Sequence, residues 1–165
     1  MFEAAGEEFA MNWHIVDYRM IWYTADDHIQ HVEWQNSLRE RFPELFPKYH
    51  VHILVARGWQ LLIEELLTGI QLIVHERGIV VRVYRVQESA LGGLWFRCVG
   101  ADDMVQALIR GAASSALCVC ERCGGPGKAC LYKRWCKVLC DEHFFEWVEQ
   151  MHQQQDEIAH RVRSL

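Results

Sequence analysis

Apolar residues recur along this chain at helical and at strand spacing, in separate stretches. Trp34, Leu38 and Phe42 stand four apart, one face of a helix predicted over 27–42 and ended by Pro43. Ile29 and Val32 fall on another side of it, so its first turn either packs elsewhere or starts late. From 58 to 75, Trp59, Leu62, Ile63, Leu66, Ile70, Ile73 and Val74 repeat at three and four, and Gly78 is placed to stop the helix. Glu64 and Glu65 read as its solvated edge, because adjacent helical residues point about 100° apart and do not converge on one atom. Asp102 and Asp103 open a third helix running to about Ala116, with Val105, Leu108, Ile109 and Ala112 on one face. Asp141 and Glu142 open a fourth, to about Arg161, where acidic residues suit the positive end of a helix.

The strand pattern is clearest over 79–86 (IVVRVYRV). Strict alternation sets Ile79, Val81 and Val83 on one face and Val80, Arg82, Tyr84 and Val86 on the other. Residues 94–99 (LWFRCV) make its antiparallel partner through a loop containing Gly92 and Gly93. Residues 13–24 read as a further strand, and 51–55 as a short strand or a lead-in to the second helix. The predicted fold is α+β: a small antiparallel sheet or hairpin covered by helices over 27–42, 58–76 and 103–116, in a unit spanning 1–117. Residues 118–165 form a second unit with a different organisation.

That second unit is organised by Cys120 to His143, CERCGGPGKACLYKRWCKVLCDEH. Cys120 and Cys123 are two residues apart, as are Cys140 and His143, and sixteen residues separate the pairs. Two pairs of this spacing can supply four tetrahedral ligands to one Zn²⁺ ion. Buried free thiols are the alternative, and the Gly-Gly-Pro-Gly turn after the first pair argues against it. Residues 131–139 have room for a hairpin or an extended strand, and knuckle, hairpin, then ligands at a helix start is the order of a treble-clef zinc finger. Four protein ligands leave no open position for water, so the expected zinc is single and structural. Cys118 could compete with Cys120, but the two-residue gap to Cys123 favours Cys120. Cys130, Cys136 and Cys98 lack ligand spacing. His28 and His31 lie one helical turn apart without an evident third ligand and read as a polar or partly packed edge.

Composition narrows the function. The chain has 165 residues, about half of them apolar, with seven Cys and seven Trp. An odd cysteine count with three claimed by a metal suits a reducing compartment rather than a disulfide scaffold. No basic-then-apolar leader opens the sequence and no apolar run reaches membrane-spanning length, so the expectation is a cytoplasmic protein with no membrane partner. The formal net charge of −5 leans against a general polyanion binder. The finger is nevertheless locally basic and aromatic, through Arg122, Lys128, Tyr132, Lys133, Arg134, Trp135 and Lys137. These residues make a candidate surface for nucleic acid or for a partner.

The chain also resembles a group of uncharacterised small proteins of bacteria and their phages. The shared pieces are Gly58-Trp59 with Leu62-Ile63, Val86-Gln87-Glu88, Gly92 to Phe96, Cys120 to Gly127 (CExCGxPG), and Leu139 to His143 (LCDxH). An upstream piece, Leu38 to Pro43, is similar as well, so the likeness spans about 38–143. It implies the same architecture and the same zinc ligands. That group's Lys-rich loop is replaced here by Gln87 to Leu91, which holds no Lys.

No phosphate-binding glycine loop, Ser-His-Asp signature or metalloprotease helix is present. An HNH nuclease would need a His on the finger hairpin, and 131–139 has none. The expected function is a non-catalytic, intracellular binding module acting on a protein partner as adaptor or inhibitor. The alternative is nucleic-acid binding through the finger hairpin.

Overall fold

The computed structural model describes residues 25–46, 51–89 and 91–163, so the strand predicted over 13–24 lies outside them. Helix α1 (Ala25–Arg41) carries its predicted stripe inward: Leu38 and Phe42 are buried and Trp34 packs on the core. Its polar side chains serve strand β1 (His52–Leu54). His31 Nε2 meets the Ile53 carbonyl at 3.1 Å, Gln35 donates to the same oxygen at 3.0 Å, and Arg39 donates to the Val51 carbonyl at 3.0 Å. His31 is buried here as part of the packing between α1 and β1.

A short 3₁₀ turn, Arg57–Trp59, leads into α2 (Gln60–Arg77), which stops at Gly78 as predicted. The chain then crosses back to β2 (Arg82–Glu88), parallel to β1, and returns antiparallel in β3 (Leu94–Val99). The sheet order is β1-β2-β3. It is therefore mixed, not antiparallel throughout. A connection of helix length between β1 and β2 is what parallel pairing requires, and 51–55 proves to hold a short strand at its centre, His52–Leu54. Helix α3 (Asp103–Ala116) packs on α2 and β3, its first turn capped by Asp102, which accepts from the Val105 amide at 3.0 Å. Ile63, Leu67 and Ile70 of α2, Val105 of α3, and Val81, Val83, Val86, Leu94 and Phe96 of the sheet region share one core.

Three expectations are corrected. Strict alternation placed Val86 outward with Tyr84, but the β2–β3 register shifts between Val83 and Arg85. That bulge turns Tyr84 and Arg85 both outward and returns Val86 to the core at 0% exposure. Leu108, assigned to the buried face of α3, stays 37% exposed, because it sits at the rim of the α2 contact over Gly69. Glu64 is not simply a solvated edge: it accepts from Trp34 Nε1 at 2.8 Å and from Arg41 at 2.7 Å, joining α1 to α2. Glu65 is exposed.

The chain ends in β4 (Lys128–Tyr132), β5 (Trp135–Leu139) and α4 (Asp141–Arg163). The two strands pair antiparallel as a hairpin. A second, smaller core gathers Cys130, Leu139, Trp147 and Met151, with Tyr132, Trp135 and Phe144 against it. Val138 of the same hairpin belongs to the main core instead, so this unit packs directly on the α+β part.

Candidate metal centre

The knuckle is built by backbone hydrogen bonds that fold 118–127 back on itself. Cys120 N donates to Gly125 O at 2.7 Å, Gly124 N to Cys120 O at 2.9 Å, and Gly127 N to Cys118 O at 2.8 Å. Gly124 takes a φ of 76°, a conformation that side-chain-bearing residues rarely adopt. At the other end, Phe144 N donates to Cys140 O at 2.9 Å, which sets Cys140 and His143 on the first turn of α4.

These two local structures bring Cys120, Cys123, Cys140 and His143 together. Their ligand atoms all lie within 4.8 Å of one another. His143 Nδ1 is 3.4 Å from Cys120 Sγ and 3.2 Å from Cys140 Sγ, so Nδ1 is the ring nitrogen that faces the centre. Sulfurs bound tetrahedrally at about 2.3 Å stand roughly 3.8 Å apart, so small side-chain movements close this set onto a metal ion. Burial opposes ionisation of Cys120, but amides of Cys123, Cys140 and Arg122 and the His143 ring outweigh it and bring the thiol down to about 7. Burial pushes the Cys123 thiol up, with the neighbouring Cys120 and Cys140 adding to it. Three thiols this close repel as thiolates, and a cation relieves that repulsion. Cys118 is exposed and stands outside the cluster, as do Cys130 and Cys136. Cys123, the most exposed ligand, borders an open cleft of about 720 Å³ between the knuckle and the first turns of α2.

Sequence reasoning treated Gly58-Trp59 only as a helix opening, yet this pair anchors the knuckle. Gly58 N donates to Glu121 O at 2.7 Å, and buried Trp59 donates through Nε1 to Val119 O at 2.9 Å. A Cβ on Gly58 would stand 2.2 Å from Cys120 O and 2.6 Å from Gly124 N, both backbone atoms that cannot rotate away. Gly58→Ala is therefore expected to push α2 off the knuckle at a cost of about 3 kcal/mol. A urea unfolding midpoint and a metal-competition titration would read both consequences; an unchanged midpoint would contradict this packing.

The predicted basic surface of the finger is reordered. Lys137 is not on it: its side chain is 5% exposed, and its ammonium lies 3.0 Å from Glu88 and 2.5 Å from Glu121, which is itself buried. Burial favours the neutral amine, but Glu121 and Glu88 outweigh it and hold Lys137 charged above its ordinary range. This triad ties β2, the knuckle and β5 together. Arg122 pairs with Glu146 at 2.5 Å and Lys128 with Asp141 at 2.6 Å. At the hairpin turn, Lys133 lies over the Tyr132 ring at 5.3 Å and Arg134 over the Trp135 ring at 5.6 Å. Tyr132 also meets His152 Nε2 through its hydroxyl at 2.5 Å. Among the described residues no helix is long and apolar enough to cross a membrane.

No protein-family model, curated protein or solved structure matches this chain.

Proposed function

We propose that this protein is a zinc-finger binding module that acts inside the cell on a protein partner without catalysis. The carrying observation is the convergence of three cysteine sulfurs and His143 Nδ1 at one point, where the knuckle meets the start of α4. In this reading one Zn²⁺ is held by Cys120, Cys123, Cys140 and His143 in a treble-clef-like arrangement, the architecture that the resemblance to the small bacterial and phage proteins implies. Thiolates select zinc over oxygen-seeking Mg²⁺ or Ca²⁺. The metal then stabilises a segment whose own core is small. A protein partner is supported by exposed Tyr84 and Trp95 and by exposed Phe145 on α4.

The nucleic-acid alternative is weakened by charge pairing. Of the five finger cations, Arg122, Lys128 and Lys137 each face a carboxylate, which leaves Lys133 and Arg134. The test has two parts. Metal analysis of the purified chain is expected to return one zinc per molecule. Affinity purification from the native host with mass spectrometry is expected to return a specific protein, and mobility shifts with DNA or RNA are expected to be absent at low salt. A shift of steep salt dependence without a protein partner would reverse the two readings.

A further inference from the structure

The face of the β-sheet turned away from the main core carries a charge arrangement that no carboxylate among the described residues balances. Arg85 on β2 and Arg97 on β3 are direct cross-strand partners, and both are exposed. Like charges directly opposite one another destabilise a ladder. Arg82, opposite Val99, is exposed on the same side, its guanidinium also donating to the Glu44 and Val81 carbonyls. Among the described residues none of the three forms an ion pair with a carboxylate, although the chain is acidic overall and five other Lys and Arg residues do. The bulge at Tyr84–Arg85 helps to create the arrangement, since without it these two neighbours would point to opposite faces.

Arg97 stacks over the Trp95 ring at 4.4 Å, and Tyr84, the neighbour of Arg85 in the bulge, is 46% exposed. Strand β3 stands at the end of the sheet and pairs only with β2 among the described residues.

We infer that the Arg82–Arg85–Arg97 face with Trp95 and Tyr84 is the partner-binding surface, and that its ligand is an acidic peptide segment in extended form laid along β3. This rests on the reading of the protein as a module for a protein partner, and adds that partner's chemistry. Side chains on an extended peptide alternate, so acidic residues two apart present their carboxylates to the same sheet face and reach Arg97 and its neighbours. Arginines on one sheet face with an exposed Trp and Tyr suit such a short acidic stretch. A nucleic-acid track would need a longer basic groove, and the −5 formal net charge of the chain works against one. Arg, Trp and Tyr are also the residues that dominate protein–protein binding energy.

The experiment uses the full-length, metal-loaded protein and a fluorescent peptide alternating Glu and Val, with a Lys-Val peptide and a single-stranded oligonucleotide as comparison probes. Fluorescence anisotropy is expected to show binding of the acidic peptide alone, weakened by added salt. Arg85→Glu with Arg97→Glu is expected to weaken it by about tenfold or more while leaving zinc content and unfolding midpoint unchanged. Arg85→Ser, which removes one binding cation together with the cross-strand repulsion, keeps the test valid should the double variant fold poorly; it is expected to bind more weakly and to be no less stable. No binding of the acidic peptide, equal binding of the Lys-Val peptide, preference for the oligonucleotide, or undiminished binding by Arg85→Ser would each overturn the inference. A native partner captured equally by wild type and by the double variant would overturn this surface while leaving the protein-partner reading in place; capture of none by wild type would overturn that reading instead.

Discussion

Cys140→Ser is expected to abolish stoichiometric zinc binding and to open 118–163 to proteases while the α+β core stays folded. The serine hydroxyl does not ionise near neutrality, so the centre would lose one of its three charged ligands. His143 would stay on the first turn of α4, set by the backbone bond from Phe144 N to Cys140 O, but its Nδ1 would lose the Cys140 sulfur 3.2 Å away. Structural zinc contributes about 10–16 kcal/mol in small finger peptides. Such a loss exceeds what Cys130, Leu139, Trp147 and Met151 can offset in their own small cluster. The α+β core has its own contacts among α2, α3 and β3 and is expected to remain protected in hydrogen exchange. Cys123→Ser is expected to act like Cys140→Ser. Cys98→Ser, Cys118→Ser and Cys130→Ser are expected to keep the metal, since none of the three belongs to the cluster. Zinc retained by Cys140→Ser would mean that a different set of atoms holds the ion.

The four-ligand cluster was legible because its signal is local. Spacing of two residues at Cys120–Cys123 and at Cys140–His143 fixes each pair, and turn and helix-start residues lie beside them. The helices were legible for the same reason, each from its own stripe. What stayed hidden depends on distant pairings. The bulge at Tyr84 cannot be read from IVVRVYRV, because alternation predicts a residue's face only while the register holds. The direction of β1 depends on where β2 lands after an entire helix. The role of Gly58 depends on the backbone of Cys120 and Gly124, more than sixty residues on. Lys137 is the sharpest case. A lysine beside Arg134 and Lys133 on a hairpin reads as solvated, and only the approach of Glu88, 49 positions away, and Glu121, 16 away, explains its burial.

That burial leads to the second large effect: Lys137→Met is expected to cost about 3–5 kcal/mol. Methionine fills much of the same volume, so the loss is not mainly a cavity. It comes from leaving the buried Glu121 carboxylate inside the protein without its cation. Glu121 Oε2 already has no hydrogen-bond partner among the described residues, so its carboxylate depends on Lys137 for compensation. Because the triad spans β2, the knuckle and β5, the loss should appear as loosening between the finger and the α+β part rather than within either. Adding Glu121→Gln to Lys137→Met removes that stranded charge, so the double variant should be more stable than Lys137→Met alone. A urea-denaturation cycle over the four proteins reads this coupling, and strictly additive costs would show that packing, not charge, sets the price. The pH dependence has a definite sign. The ammonium is held above its ordinary value of 10.5, so its stabilisation is fully present below that pH and is lost only as pH rises through the raised value. Wild type should therefore keep the triad's contribution at neutral pH and lose it under strong alkali, and Lys137→Met should lack that alkaline loss.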